Sequence, residues 1–150
     1  MKQKLIIIFT CLLLVSFITE AANTQENLKI KEVFHIYGKR KNVVMVELSK
    51  EMLDMYDITF YKSITIKNDP EALGFIRKCL NSDQEGAHKI KEVTNEGEVI
   101  SAYYQVPVTG NVNRFILFKV NQKGIITLIY IEGELDSDDL ITILFTKKDF

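Results

Sequence analysis

Two consecutive segments limit this chain more than any other stretch: Phe115-Ile-Leu-Phe-Lys-Val120 and Ile125-Ile-Thr-Leu-Ile-Tyr-Ile131, joined by Asn121-Gln-Lys-Gly124. A strand sends successive side chains to opposite faces. Phe115 and Leu117 therefore oppose Ile116, Phe118 and Val120, and Ile125, Ile129 and Ile131 oppose Ile126, Leu128 and Tyr130. Strands apolar on both faces belong at the centre of a sheet covered on both sides. The cover is either helices divided between the two faces or, on one face, another molecule.

The neighbouring segments supply the rest of the sheet. Residues 98–107 are rich in β-branched and aromatic types, and Gly110-Asn111 marks the turn into 114–120. Pro107 is expected to end its strand or to sit at an edge. Connections this short demand antiparallel pairing, because parallel strands need long crossovers. Val43–Leu48 is a short apolar strand, and Ile58, Phe60, Ile64 and Ile66 alternate with Thr59, Tyr61, Ser63 and Thr65. Helices are marked by their starts. Ser49 caps a brief one through Met52 and Met55. Asp69-Pro70 caps and opens one running to about residues 82–85. A last one begins near Ser137 and carries Leu140, Ile141, Leu144 and Phe145.

The pentapeptide KIKEV occurs at Lys29–Val33 and again at Lys89–Val93. In the first copy Ile30, Val33, Phe34 and Tyr37 recur at helical spacing, and Gly38 is expected to stop that helix in a left-handed conformation. The second copy runs into Thr94-Asn95-Glu96-Gly97, a hairpin signal, and reads as a strand. The flanks do not extend the match, so the repeat reads as coincidence, although a helix or turn followed by strands recurs in both halves. The expected fold is α+β: an antiparallel sheet of five or six strands with three or four packing helices.

The first residues have the order of a secretory signal. Lys2 and Lys4 precede an uncharged run from Leu5 to Ile18, and Thr19-Glu20-Ala21-Ala22 offers small residues for cleavage. The run is shorter than the roughly 20 residues of a spanning helix, which makes an uncleaved anchor the alternative. Cys11 follows Ile8-Phe9-Thr10 and not the small residues of a lipoprotein signal. The expected organisation is a signal peptide over residues 1–21 and a single exported domain over 22–150, periplasmic or secreted, with no stable membrane anchor after cleavage. Removing Lys2, Lys4 and Glu20 from 19 basic and 20 acidic residues leaves a net charge of −2. That balance, and a lone basic run at Lys39-Arg40-Lys41, argues against nucleic acid as a partner. Only Cys79 survives cleavage, so no intramolecular disulfide forms; its helical spacing with Ala72, Leu73, Ile76 and Leu80 makes it a buried thiol.

Two stretches resemble a known group. Asn42 with VVMVELSKEML, ending at Leu53, is similar to a strand-to-helix element in a family of small exported proteins of unknown function from Bacteroidetes. Leu128 with IYIEGELDSDDL, ending at Leu140, resembles that family's strand, glycine turn and final helix. The likeness covers about residues 28–145. It implies an exported α+β domain in a Gram-negative envelope and carries over no catalytic residues.

Chemistry is sparse. Glu132, Glu134, Asp136, Asp138 and Asp139 crowd eight residues. An EF-hand counted from Asp136 needs Gly at its sixth position and Glu at its twelfth, where this chain has Ile141 and Lys147. The better reading is a helix start, with Asp136 or Ser137 as cap. His35 and His88 have no second ligand at metal spacing, and a proton-transfer role for His88 is the only one left open. Ser49, Ser63 and Ser101 lack a nucleophile-elbow context. Tyr103 and Tyr104 point to opposite faces; one is core, and the other is core or part of a binding face. No catalytic, cofactor-binding or metal residue is assigned, and no cofactor is expected. The leading expectation is a non-enzymatic envelope protein that binds a protein partner or forms a homo-oligomer. The alternatives are a small hydrolase or ligand-binding enzyme using dispersed carboxylates, and an accessory to envelope signalling.

Overall fold

The computed structural model of the chain describes residues 27–146. In chain order the elements are helix α1 (Ile30–Tyr37), strand β1 (Val43–Glu47), helix α2 (Lys50–Asp54), strand β2 (Ile58–Lys67), helix α3 (Pro70–Asp83), strands β3 (His88–Asn95), β4 (Glu98–Thr109), β5 (Val112–Val120) and β6 (Ile125–Gly133), and helix α4 (Ser137–Thr146). The strands form one six-stranded sheet in the order β1-β2-β6-β5-β4-β3. Every adjacent pair is antiparallel. This is the expected α+β architecture, with β5 and β6 in the middle.

The two apolar faces of β5 and β6 are covered by helices divided between them. One core joins Ile64, Ala102, Tyr104, Ile116, Phe118, Leu128 and Tyr130 of the sheet to Ile30, Val33 and Phe34 of α1 and Ile76 and Leu80 of α3. The second core, on the opposite face, joins Tyr103, Phe115 and Ile131 to Leu135 and to Leu140 of α4, with Leu53 of α2 at its margin. Tyr103 and Tyr104 thus do point to opposite faces, and both are buried.

Local chemistry explains most of the boundaries. Asp69 accepts the N–H of Ala72 at 2.8 Å and Pro70 opens α3, a donor-free residue where the helix has no use for a donor. The two KIKEV copies separate as expected, one entering α1 and the other lying in β3. Asn95 pairs with Glu98 across a two-residue turn in which Glu96 and Gly97 both have positive φ, the conformation whose twist matches antiparallel strands. Beyond Gln105, β4 has no partner on the β3 side. Pro107 sits there, next to a register break between Val106 and Thr109, so its missing N–H costs no ladder bond.

Two expectations need correction. Gly38 is not left-handed; its φ is −60° and ψ −20°. Its lack of a side chain matters for space instead: a Cβ would meet the carbonyl oxygen of Phe34 and lie 2.8 Å from Sδ of Met45 in β1. Alternation in β2 is also not continuous. A bulge between Ile58 and Phe60 shifts the register, and one extra residue turns a side chain to the other face. Ile58 therefore joins the α4-side core, while Ile64 and Ile66 join the α1–α3 core.

Candidate functional site

The chemistry-bearing residues singled out by the sequence do not converge. Asp136 Oδ1 accepts the N–H groups of Asp138 and Asp139, each at 2.9 Å. That makes it the N-cap of α4, and it satisfies two donors that the helix cannot. His35 is exposed on α1, and His88 is exposed at the first position of β3. Ser49 caps α2 by accepting from Met52 N–H at 3.5 Å; Ser63 is buried on β2, and Ser101 is half-buried on β4. Cys79 is a buried free thiol, and burial pushes its pKa up to about 11. Among the described residues no group of three or more His, Cys, Asp or Glu is placed to hold a metal ion. No helix among them is long and apolar enough to cross a membrane.

Sequence reasoning missed the buried charges: Asp83, Arg114 and Glu132 are each under 10% exposed. Asp83 closes α3 and reaches across to the start of α1, where its two oxygens accept Lys29 N–H at 2.7 Å and Ile30 N–H at 2.8 Å. Burial holds its carboxyl above the ordinary value, against the lowering effect of those two bonds. One signal existed: an acid in the last helical turn opposes the helix dipole and so needs a partner elsewhere. Arg114 donates from Nε to the Pro107 carbonyl at 2.9 Å and faces Glu132 across the β5–β6 ladder. Glu132 accepts the Tyr130 hydroxyl at 2.7 Å. At the β3 margin Tyr104 donates to Glu92, a bond that holds the Glu92 carboxyl below its usual range.

A recess of about 130 Å³ lies between α3 and the β3–β4 turn, lined by Arg77, Glu98, Val99 and Tyr104 among others. Ligand pockets are typically about 300–1,000 Å³. Its polar groups are also engaged, since Arg77 pairs with Glu98 at 2.9 Å and donates to the Val99 carbonyl at 3.1 Å.

The sheet edges differ sharply. Natural edge strands are blunted by lysines, bulges and short length. β3 follows that rule: Lys89 and Lys91 are exposed, and its register to β4 breaks at Lys89/Lys91 and at Val93/Thr94. β1 is short and ends in one exposed charge, Glu47, but carries no lysine and no register break. Its register to β2 runs unbroken from Val43↔Ile66 to Glu47↔Lys62, and no strand among the described residues pairs with its outer side. Val44 is 56% exposed, Val46 40% and Met45 37%. Val44 and Val46 stand beside Thr65 and Ser63 on the α4 face, and Met45 lies on the other. Met52 and Met55, in and just after α2, add exposed apolar surface nearby. An outer row of backbone donors and acceptors flanked by apolar side chains is suited to receiving another strand.

A family model described as a family of unknown function (DUF6108) matches residues 17–144, which includes nearly all of the described fold. No curated protein and no solved structure matches the chain.

Proposed function

The chain belongs to DUF6108, a family of unknown function, and from that premise we propose that it is an exported, non-enzymatic cell-envelope module that binds protein by strand addition at β1. The observation that carries this reading is the contrast between its two edges: β3 bears lysines and register breaks, and β1 bears Val44, Met45 and Val46 on an unbroken ladder. Strand addition draws affinity from main-chain hydrogen bonds and specificity from alternate side chains, and β1 offers both. The leader-like residues 1–21 and the resemblance to small exported Bacteroidetes proteins support placement in a Gram-negative envelope.

The rival, a hydrolase or ligand-binding enzyme using dispersed carboxylates, has weaker support. The buried carboxylates among the described residues, Asp83 and Glu132, are bonded to backbone N–H groups and to Tyr130. A role as an accessory to envelope signalling is a special case of partner binding.

The test is retention of envelope protein by the native chain and by Val44→Lys. Val44 is exposed, so the substitution leaves the core intact, and a lysine there guards the edge as Lys89 and Lys91 guard β3. Material held by the native chain and lost by the variant supports the proposal. Equal retention by both, second copies of the chain itself included, refutes it.

A further inference from the structure

We infer that β1 pairs with β1 of a second copy of this chain, antiparallel and about a two-fold axis, joining two six-stranded sheets into one. This rests on the proposed docking role of β1 and names its occupant. The distribution of charge along the edge selects that occupant. The basic run Lys39-Arg40-Lys41 precedes β1, and Glu47 ends it, with Lys50, Glu51 and Asp54 beyond, a net acidic stretch. Lys41 and Glu47 are both exposed. A parallel copy would set Lys41 against Lys41 and Glu47 against Glu47. An antiparallel copy sets the basic end of each strand against the acidic end of the other.

The pleat narrows the register further. Opposed residues in an antiparallel ladder point to the same face, so a two-fold pair places one residue opposite itself. With Val44 on the axis, Val43 faces Met45, and Glu47 extends past the partner copy's Val43 toward the turn that holds Lys41. With Met45 on the axis, Val44 faces Val46 and Lys41 lies diagonal to Glu47, within reach of a long side chain. Asn42, at φ 65°, turns the chain just before the strand, so the inferred Lys41–Glu47 contact is made by the long side chain and not by the ladder. Both registers bring the valines of the α4 face together and both give two symmetric Lys41–Glu47 contacts. Glu47 already pairs with Lys62 of its own copy at 2.9 Å, which makes Lys41 the second cation on one carboxylate. A five-residue edge, about 17 Å of strand, supplies far fewer residues than the roughly 20–30 a side of a standard interface. The association is therefore weak and rises with concentration.

Sedimentation of the full mature chain at increasing concentration reads the dimer directly, in four samples: native, Val44→Lys, Lys41→Glu and Glu47→Lys, with circular dichroism to confirm that each is folded. The native chain dimerises with concentration. Each charge-reversed variant opposes like charges at both ends and dimerises about tenfold or more weakly at low salt. An equimolar mixture of those two variants restores association. In the mixed pair the acid introduced at position 41 of one copy meets the base introduced at position 47 of the other, and the unchanged Glu47 of the first meets the unchanged Lys41 of the second. That restoration is specific to a second copy. A native chain that stays monomeric to millimolar concentration overturns the inference, as does a dimer indifferent to Val44→Lys or to both charge changes. Val44→Lys separates this from the wider reading: a monomeric native chain that still holds an envelope protein through Val44 leaves edge docking standing and removes only the second copy as its occupant.

Discussion

Replacing Asp83 by Ala should cost this fold about 2 kcal/mol, and the figure follows from what the carboxylate does. It supplies the first turn of α1 with the two acceptors that turn lacks. Loss of an N-cap costs roughly 0.5–2 kcal/mol. Here Ile30 is fully buried, so its N–H cannot turn to water, and a stranded buried donor costs roughly 1–3 kcal/mol. Against this, the variant no longer buries a charge, and burial is the largest influence on Asp83, since it raises the pKa despite both bonds. The balance is a loss of about 2 kcal/mol, or a drop of roughly 6–10 °C in Tm for a chain of this size. Urea unfolding gives the free energy, and hydrogen exchange shows whether the amides of α1 lose protection first. A loss under about 0.5 kcal/mol with α1 still protected would refute the assignment of Asp83 as the cap of a helix distant from it in sequence. Asp83→Asn adds a pH test. A raised folded pKa means that the native state holds the proton more tightly than the unfolded chain, so this group's contribution falls as pH rises from the unfolded carboxylate value through the folded one. The stability of Asp83→Asn relative to the native chain should therefore improve across that window. A difference independent of pH, or one moving the other way, contradicts the burial argument.

Three further outcomes are expected. Asp136→Ala should lose about 0.5–2 kcal/mol by thermal or urea unfolding, and millimolar calcium should leave the native Tm unmoved; a rise of several degrees lost in Asp136→Asn/Asp138→Asn would reverse the reading of this stretch as a helix start. Cys79→Ala should cost about 1 kcal/mol and leave partner binding intact, and the native thiol should resist alkylation at neutral pH, because its pKa of about 11 keeps it protonated. Protein recovered from its host should have the mass of a chain cleaved after Ala21, measured by mass spectrometry; an intact Met1 on soluble cytoplasmic protein would contradict export.

Much of this fold was legible where a local rule acts alone. The two-faced apolarity of β5 and β6 forced them to the centre, and Asp69-Pro70 could hardly start anything but a helix. What escaped depended on distant neighbours. Gly38 does close α1, but in a right-handed conformation; a side chain there would meet the Phe34 carbonyl of its own helix and also Met45, and the second contact exists only once β1 has folded back. The bulge at Ile58/Phe60 is invisible in a pattern of perfect alternation. Asp83 acts through Lys29 and Ile30, and no spacing rule links them. The bare edge at β1 was hidden for a related reason. Val43-Val-Met-Val46 is as apolar as a central strand, and its place at the rim is set by topology; only when β3 stands at the opposite rim with its lysines does the bareness of β1 become informative.

The most direct test of β1 pairing with β1 of a second copy is hydrogen exchange of the folded chain in dilute and in concentrated solution, read at Val43–Glu47 and at His88–Asn95. The outward amides of β1 should exchange freely when dilute and gain protection with concentration, while those of β3 stay unchanged. Protection at β1 that does not depend on concentration, or a gain that appears at β3 instead, would contradict the account.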